Sequence, residues 1–334
     1  MSDRLLNLVE NLKNLPGFKI SSKPHIRRAA VAIILRVKPS EEEPYQTTGI
    51  GLENDLESFL KTDWVRRGTL EILYIQRASR SGDRWSGQIA FPGGKNEKNE
   101  EDTETAVRET LEEIDLDLSS PAFTHLGSLD DQKITGRGGH ELLMILSAQV
   151  YLQLSKVTPE VKLQESEVAE VRWIPVPYLL EHLTTRKREL IHINVATGLS
   201  RGAPKWIQDR VRFLFGNFQF PGIRLPQFPS KATLWGITFR TTSELLDMIW
   251  DSKGNVMPSL NETPVTFNHF DMNWVFQLLM SAKFQRVRKP WVNKPSELDD
   301  KYKMALKWTI YTGLVLRIIF AMGTVSAFRC LLKL

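Results

Sequence analysis

The sequence predicts a mixed α/β sandwich, a sheet with helices packed against it. Three stretches point there. "RRAAVAIILRV" (27–37) is an apolar run rich in β-branched residues, the pattern of a buried strand. "TLEILYIQR" (69–77) alternates, as a strand does. Residues 103–114 fit a helix whose Val107, Leu111 and Ile114 recur at i, i+4 and i+7 and can pack on the sheet.

The remaining elements follow in chain order. "MSDRLLNLVENLKNL" sets Leu5, Leu8, Val9 and Leu12 at helical spacing and reads as a short amphipathic helix. It lacks the continuous apolar core of a secretory signal. Residues 38–49 are polar loop. "ASRSGDRWSGQIAFPGG" is a long loop ending in glycines. "HELLMILSAQVYL" (140–152) and "EVAEVRWIPV" (167–176) are further strands, and "PYLLEHL" (177–183) is a short helix with Pro177 near its start. Between 184 and 230, "RKREL" and "RVRFLFGNFQF" read as strands around a loop. "TLWGITFRTTSELLDMIW" (233–250) returns to helical spacing. Residues 251–300 are turn-rich and then basic.

Composition narrows the class. The chain has 334 residues, 42% hydrophobic and 25% charged, enough for one large domain or two smaller ones. Its one cysteine, Cys330, excludes an internal disulfide framework and a cysteine-based zinc site. The net charge of +5 is uneven: residues 283–334 hold eleven Lys or Arg against three Asp or Glu, and the rest of the chain is slightly acidic. A nucleic-acid-binding surface across the body is not expected.

The chemistry concentrates in "FPGGKNEKNEEDTETAVRETLEEIDL" (91–116). On a helix, Glu109, Glu112 and Glu113 share a face at i, i+3 and i+4. Like charges there repel. Arg108 is one candidate to offset them, but a divalent cation explains the face better. Mg²⁺ and Mn²⁺ prefer carboxylate oxygens and suit phosphoryl chemistry. Gly93 and Gly94 give the backbone conformations closed to other residues and let a ligand approach. The bland alternative is a charged, solvated helix.

The spacing decides between them. Gly94, five residues, Glu100, seven residues, Arg108-Glu109, two residues and Glu112-Glu113 together resemble the Nudix box. The resemblance implies a Nudix α/β/α sandwich with a mixed sheet, and hydrolysis of a diphosphate linked to some moiety X with Mg²⁺ or Mn²⁺. It implies Glu109, Glu112 and Glu113 as metal ligands, Glu100 as an assisting carboxylate, and Arg108 as a structural residue orienting the carboxylates. Two positions depart from the family pattern. Thr110 stands where an aliphatic residue is usual. Asp115 stands where glycine ends the helix in a left-handed conformation, at a modest stability cost.

The flanks resemble the coenzyme A diphosphatase branch, through Arg77-Ala78 and Gly87-Gln88-Ile89-Ala90-Phe91-Pro92-Gly93-Gly94. The loop between them is one residue longer than that pattern, and Trp85 stands near a usual histidine. The implied substrate is coenzyme A or acyl-CoA, cut to 3′,5′-ADP and the phosphopantetheine part. ADP-ribose or another nucleoside diphosphate derivative is one alternative, and a non-catalytic, membrane-tethered binding module is another. Arg77, Arg84 and Lys95, with Arg80 behind them, are the cations expected to meet phosphate. Glu167 is the expected catalytic base, ahead of Glu165, Glu170 and His140.

The C-terminal stretch "WTIYTGLVLRIIFAMGTVSAF" (308–328) has one charge, Arg317. At about 1.5 Å per residue it would reach the roughly 30 Å of a bilayer core. A central arginine costs about 2.5–3.5 kcal/mol, against about 0.3–0.6 kcal/mol gained per large apolar residue, so insertion is near balance. The expectation is a membrane-associated C-terminal hydrophobic helix with the Nudix domain facing the cytosol. The competing reading is a helix packed on protein or lying in the interface, with Arg317 at its polar edge. The expected divisions are 1–27 as a lead-in, 28–250 as the Nudix domain with 184–230 partly an insertion, 251–305 as a basic linker and 306–334 as the tail.

Overall fold

The computed structural model describes residues 2–14, 17–21, 26–40, 55–81, 85–135, 142–184, 189–194, 204–230, 232–249, 266–267, 269–284, 304–305, 307–319 and 322. The chain forms two compact units, residues 1–189 with 222–263, and residues 190–221 with 264–334.

The first unit is an eight-stranded mixed sheet covered on both faces. Its helices and strands begin, in chain order, with α1 (Ser2–Asn14), β1 (Arg27–Lys38), α2 (Leu56–Lys61), α3 (Asp63–Arg67), β2 (Thr69–Arg77), β3 (Ile89–Ala90), β4 (Gly93–Lys95) and α4 (Asp102–Ile114). They continue with β5 (Phe123–Ser128), β6 (Gln132–Thr135), β7 (Leu142–Gln153), β8 (Val168–Pro175) and α5 (Val176–Thr184). The sheet order is β3-β2-β1-β7-β5, with β4 also on β1, β6 on β7 and β8 on β2. β1 runs parallel to β7 and antiparallel to β2. It is buried on both faces, which is why its sequence is a continuous apolar run.

Ala30, Ala32 and Ile34 of β1 face α4, in a core with Ala106 and Ile114. Ile33, Leu35 and Val37 face the opposite core, which includes α1 and α5 residues. α1 is more than a lead-in. Leu5, Leu8, Val9 and Leu12 are all buried in that second core. Asn7 and Asn11 donate to the carbonyls of Ile249 and Met248, at 3.4 and 2.7 Å.

The inward face of α4 matches the expected one at Val107 and Ile114 and departs from it at Leu111. Leu111 is 44% exposed, while Ala106, Thr110, Glu113 and Ile114 are buried. The helix turns its small residues towards Ala30 and Ala32, and a buried carboxylate goes in with them. Thr110 is accommodated because its hydroxyl donates to the carbonyl of Ala106 at 2.6 Å, leaving no donor unsatisfied.

Asp115 caps α4 at φ 56° and ψ 34°, the left-handed conformation expected of it. An L-residue there carries strain that glycine does not. Asp115→Gly is therefore expected to stabilise the fold. It also removes an ion pair to Lys162 at 3.2 Å between largely exposed groups, a minor loss. The net gain should be about 0.5 kcal/mol, or roughly 1–2 °C in Tm, read by thermal unfolding.

Two segments fold differently from their sequence pattern. Residues 210–215 are helical, within α6 (Lys205–Phe215), after the strand β9 (Glu189–Asn194). Gly216, at φ 70°, stops α6, and its N–H reaches the carbonyl of Arg212 at 2.7 Å. Only then does β10 (Asn217–Arg224) begin. The stretch 233–250 splits into β11 (Thr233–Trp235) and α7 (Gly236–Asp247), because Leu234 pairs with Ile223 of β10.

The second unit has a small core of its own. β12 (Thr266–Phe267) pairs with Phe218 and Gln219, and α8 (Phe270–Phe284) follows it. Phe267, Met272, Phe276 and Ala305 are buried, with Val211, Leu214, Ile310 and Leu314 packed against them. The expected linker thus contains a helix, α8, whereas 250–265 and 285–303 lie outside the described residues.

Among the described residues no helix is long and apolar enough to cross a membrane. The expected spanning helix is thus not seen among the described residues, which include only part of 308–328. Residues 307–319 are helical and pack on α8, and most of 320–328 lies outside the described residues. Arg317 donates to Asp271 at 2.6, 2.7 and 2.8 Å, a pairing that suits a helix packed on protein.

Candidate active site

Three connections assemble the site, and each begins in backbone chemistry. The first joins β4 to β1, with Gly93 opposite Val31 and Gly94 opposite Ala30. Gly93 sits at φ 149°, and a Cβ there would strike the carbonyl of Ala30 and the backbone of Val31. A Cβ on Gly94 would fall on the carboxylate of Glu109. The double glycine is thus what lets α4 bring a carboxylate onto the β4 backbone.

The second connection closes the C-terminus of α4. The carbonyls of Glu113 and Ile114 accept the N–H groups of Gln164 and Lys162, at 2.9 and 3.1 Å. That docks the turn leading into β8, and Glu167 follows immediately, its N–H bonded to the carbonyl of Gln164 at 2.7 Å. The third joins the end of β2. The N–H of Arg77 reaches the carbonyl of Gln88, and that of Ala78 reaches the carbonyl of Glu167. A bulge between Gln76 and Arg77 lies at the same point.

Glu113 is the buried member of the site, at 2% exposure. Its carboxylate accepts the N–H of Gly93 at 2.9 Å. Burial pushes its pKa up to about 8, helped by the negative charges of Glu109 and Glu167 and opposed by the Gly93 hydrogen bond and Arg77. Burial also raises Glu109, with Arg108 opposing and Glu112 and Glu167 adding to the rise.

Arg108 is a fork that gathers several acceptors. It donates to Glu100 at 2.7 and 3.0 Å, to Glu109 at 3.1 Å, to Glu112 at 3.2 Å and to the carbonyl of Lys95 at 3.2 Å. Glu100 also accepts from Thr105 and from the N–H of Glu97, at 2.7 and 2.8 Å. The Arg108 hydrogen bond is the main reason its pKa falls to about 2. Glu100 is therefore fully engaged in anchoring Arg108, and Arg108 holds Glu109 and Glu112.

The expected residues do not all meet. Glu109, Glu113 and Glu167 share one electrostatic neighbourhood with Arg77. The Glu112 side chain is 59% exposed and turned to Arg108. Arg80 ion-pairs with Glu167 at 3.0 Å. Lys95 is exposed on β4, and Glu170 pairs with Arg172 at 2.6 Å. Arg84 and His140 lie outside the described residues.

Among the described residues no group of three or more His, Cys, Asp or Glu converges closely enough to hold a metal ion. The residues nonetheless fit Mg²⁺ or Mn²⁺. Glu109 and Glu113 are hard oxygen donors, and Mg²⁺ is commonly held by one or two carboxylates with water and substrate phosphates completing its shell. The raised pKa of both carboxylates marks an excess of buried negative charge that a divalent cation would offset.

A second ionic cluster, with no counterpart in the sequence reading, fixes the start of α4. Arg28 of β1 donates to Asp102 at 2.6 Å and to Asp131 at 2.9 Å, and Lys19 reaches Asp102 at 3.4 Å. Asn96 also donates to Asp102, at 2.9 Å. These partners are far apart in sequence, and an Asp in the first turn of a helix is common enough to give no signal.

Comparison with known proteins finds similarities in sequence and fold. The family model of the NUDIX domain matches residues 64–192. An uncharacterized protein of Schizosaccharomyces pombe is 29% identical over 335 residues, covering 94% of each chain. The mitochondrial coenzyme A diphosphatase NUDT8 of Mus musculus is 33% identical over 116 residues, 34% of this chain and 51% of the relative, so the match spans about half of that enzyme's length. A solved Nudix hydrolase of M. smegmatis, RenU, aligns over 50% of this chain and 82% of that one at 16% identity, with a TM-score of 0.32. The segment that the NUDIX-domain model matches is the one that carries the β4 glycines and the ordered carboxylates of α4.

Proposed function

We propose that this chain hydrolyses the diphosphate of coenzyme A or an acyl-CoA, releasing 3′,5′-ADP and the phosphopantetheine part. The observation that carries the reading is the segment from Arg77 to Glu113. Its flanks resemble the coenzyme A diphosphatase pattern, the chain is 33% identical over 116 residues to such an enzyme of Mus musculus, and the segment folds so that Arg77, Gly93, Gly94, Glu109 and Glu113 adjoin. Glu109 and Glu113 would hold Mg²⁺ or Mn²⁺, with Glu112 available at the rim. The bound cation would neutralise diphosphate charge and acidify a water molecule.

The chain's own residues would do the rest. Arg77, at the end of β2, offers a guanidinium to a phosphate oxygen. Arg84 and Lys95 are further candidate phosphate contacts. Gly94 leaves room above the β4 backbone for the Glu109 carboxylate. Glu167 would take the proton from the attacking water, and its pairing with Arg80 at 3.0 Å holds its carboxylate in place.

The test is a substrate panel. The full chain is incubated with coenzyme A, acetyl-CoA, ADP-ribose and a dinucleoside tetraphosphate, each with Mg²⁺ and with Mn²⁺, and products are identified by mass. The expected result is 3′,5′-ADP from coenzyme A or acetyl-CoA. Turnover of ADP-ribose with none of the CoA compounds would reassign the substrate. Metal binding with no product from any compound would make the domain a binding module.

A further inference from the structure

The two compact units carry opposite charge. Residues 190–221 and 264–334 hold fifteen Lys or Arg against five Asp or Glu, while the rest of the chain holds 29 against 34. The catalytic carboxylates belong to the acidic unit. The basic unit has no part in the chemistry described above.

That basic unit is also turned inside out. α8 is apolar around most of its circumference, where a surface helix would carry a polar outer face. Met272, Val275 and Phe276 are buried, yet Phe270 is 85% and Trp274 59% exposed. The helix at 307–319 repeats the pattern. Ala305, Thr309 and Gly313 face the small core, while Trp308, Tyr311, Val315 and Ile319 form an outward stripe at i, i+3, i+7 and i+11. On α6, Val211 and Leu214 pack inward, while Trp206 and Phe213 stand out beside exposed Arg210 and Arg212.

We infer that this unit docks the protein onto an anionic lipid surface, lying in the interface without spanning the bilayer. Three observations converge on that partner. Trp206, Trp274, Trp308 and Tyr311 stand among the outward apolar residues, and their rings suit a boundary where one end is apolar and the other wet. Arg317, the one charge inside the apolar stretch, is neutralised by Asp271, so the helix can lie against hydrocarbon edges without an unpaired cation. The excess of ten positive charges favours acidic headgroups, and it opposes the other natural cover for such a face, a second copy of the same chain. The inference is independent of the substrate reading.

Vesicle co-sedimentation of the full chain tests it. The wild type should pellet with vesicles of phosphatidylcholine mixed with phosphatidylserine and much less with phosphatidylcholine alone, and added salt should weaken the binding. The triple substitution Trp274→Asp, Trp308→Asp and Ile319→Asp should lower partitioning at least about tenfold, since each large apolar side chain withdrawn from water contributes on that scale. Its far-UV circular dichroism should match the wild type, and blue-shifted tryptophan fluorescence of the wild type on vesicles gives a readout that needs no variant. Wild type left in the supernatant with both vesicles, or equal pelleting with both, overturns the inference. So does equal pelleting of the triple variant. A dimer in sedimentation velocity that the substitutions dissociate, with no vesicle binding, also overturns it by giving the face to a second copy.

Discussion

Glu113→Gln should lower kcat on the order of 10³-fold, the scale on which loss of one preorganised electrostatic group slows an enzyme. The fold should survive, because the carboxamide oxygen can still accept the N–H of Gly93. Stability supplies an independent readout. An unfolded glutamate ionises near its ordinary value of 4.5, whereas folded Glu113 is held at about 8, chiefly by burial. Below pH 4.5 both states are protonated and the carboxyl costs nothing. As pH rises from 4.5 to 8 the folded state binds the extra proton, so stability falls across that window and the full cost is present above it. The variant lacks this dependence. Without metal it should be more stable than wild type at pH 8, by on the order of a few kcal/mol, and the difference should vanish near pH 4.5. Added Mg²⁺ should raise the Tm of the wild type at pH 8 and leave the variant's unchanged. Wild-type turnover from the variant, or an equal Mg²⁺ response, would remove Glu113 from the site.

The same residue marks the limit of what the sequence discloses. Strand 69–77 is legible to the residue, because its apolar run and flanking polar residues act locally, although burial is continuous over 70–75 where alternation is expected. The left-handed cap at Asp115 is legible for the same reason. The box spacing identifies the carboxylates. What it does not disclose is their division of labour. Glu113 turns inward, Glu112 stays outside and Arg108 gathers Glu100, Glu109 and Glu112, and these outcomes depend on which β4 amide and which β1 alanines lie under the helix. Glu244 is similarly hidden: its pKa is pushed up to about 7, chiefly by burial, where it accepts from Gln132 and the N–H of Asp130. Those partners precede it by more than a hundred residues. In the second unit the apolar pattern of 308–328 is real, but length and hydropathy do not reveal that Asp271 on another helix pairs with Arg317.

Neighbouring glycines should separate folding from function. Gly94→Ala puts a methyl group where the Glu109 carboxylate lies. The obstacle is the far end of a flexible side chain, so the carboxylate can swing aside and Tm should change little. Its displacement should cost about 100-fold in kcat, the scale of a misplaced catalytic group, and should weaken Mg²⁺ binding by calorimetry. Gly93→Ala meets backbone instead, the Ala30 carbonyl and Val31, from a φ of 149° that an L-residue rarely adopts. Neither strand can yield without breaking the β1–β4 ladder, and the cost should be about 2–4 kcal/mol of stability. One substitution should therefore give a folded but slow enzyme, and its neighbour an unstable one. If both lost stability equally, Glu109 would be packed too rigidly against Gly94 to be a ligand that adjusts to a cation. If Gly94→Ala kept full activity, Glu109 would have no part in the reaction.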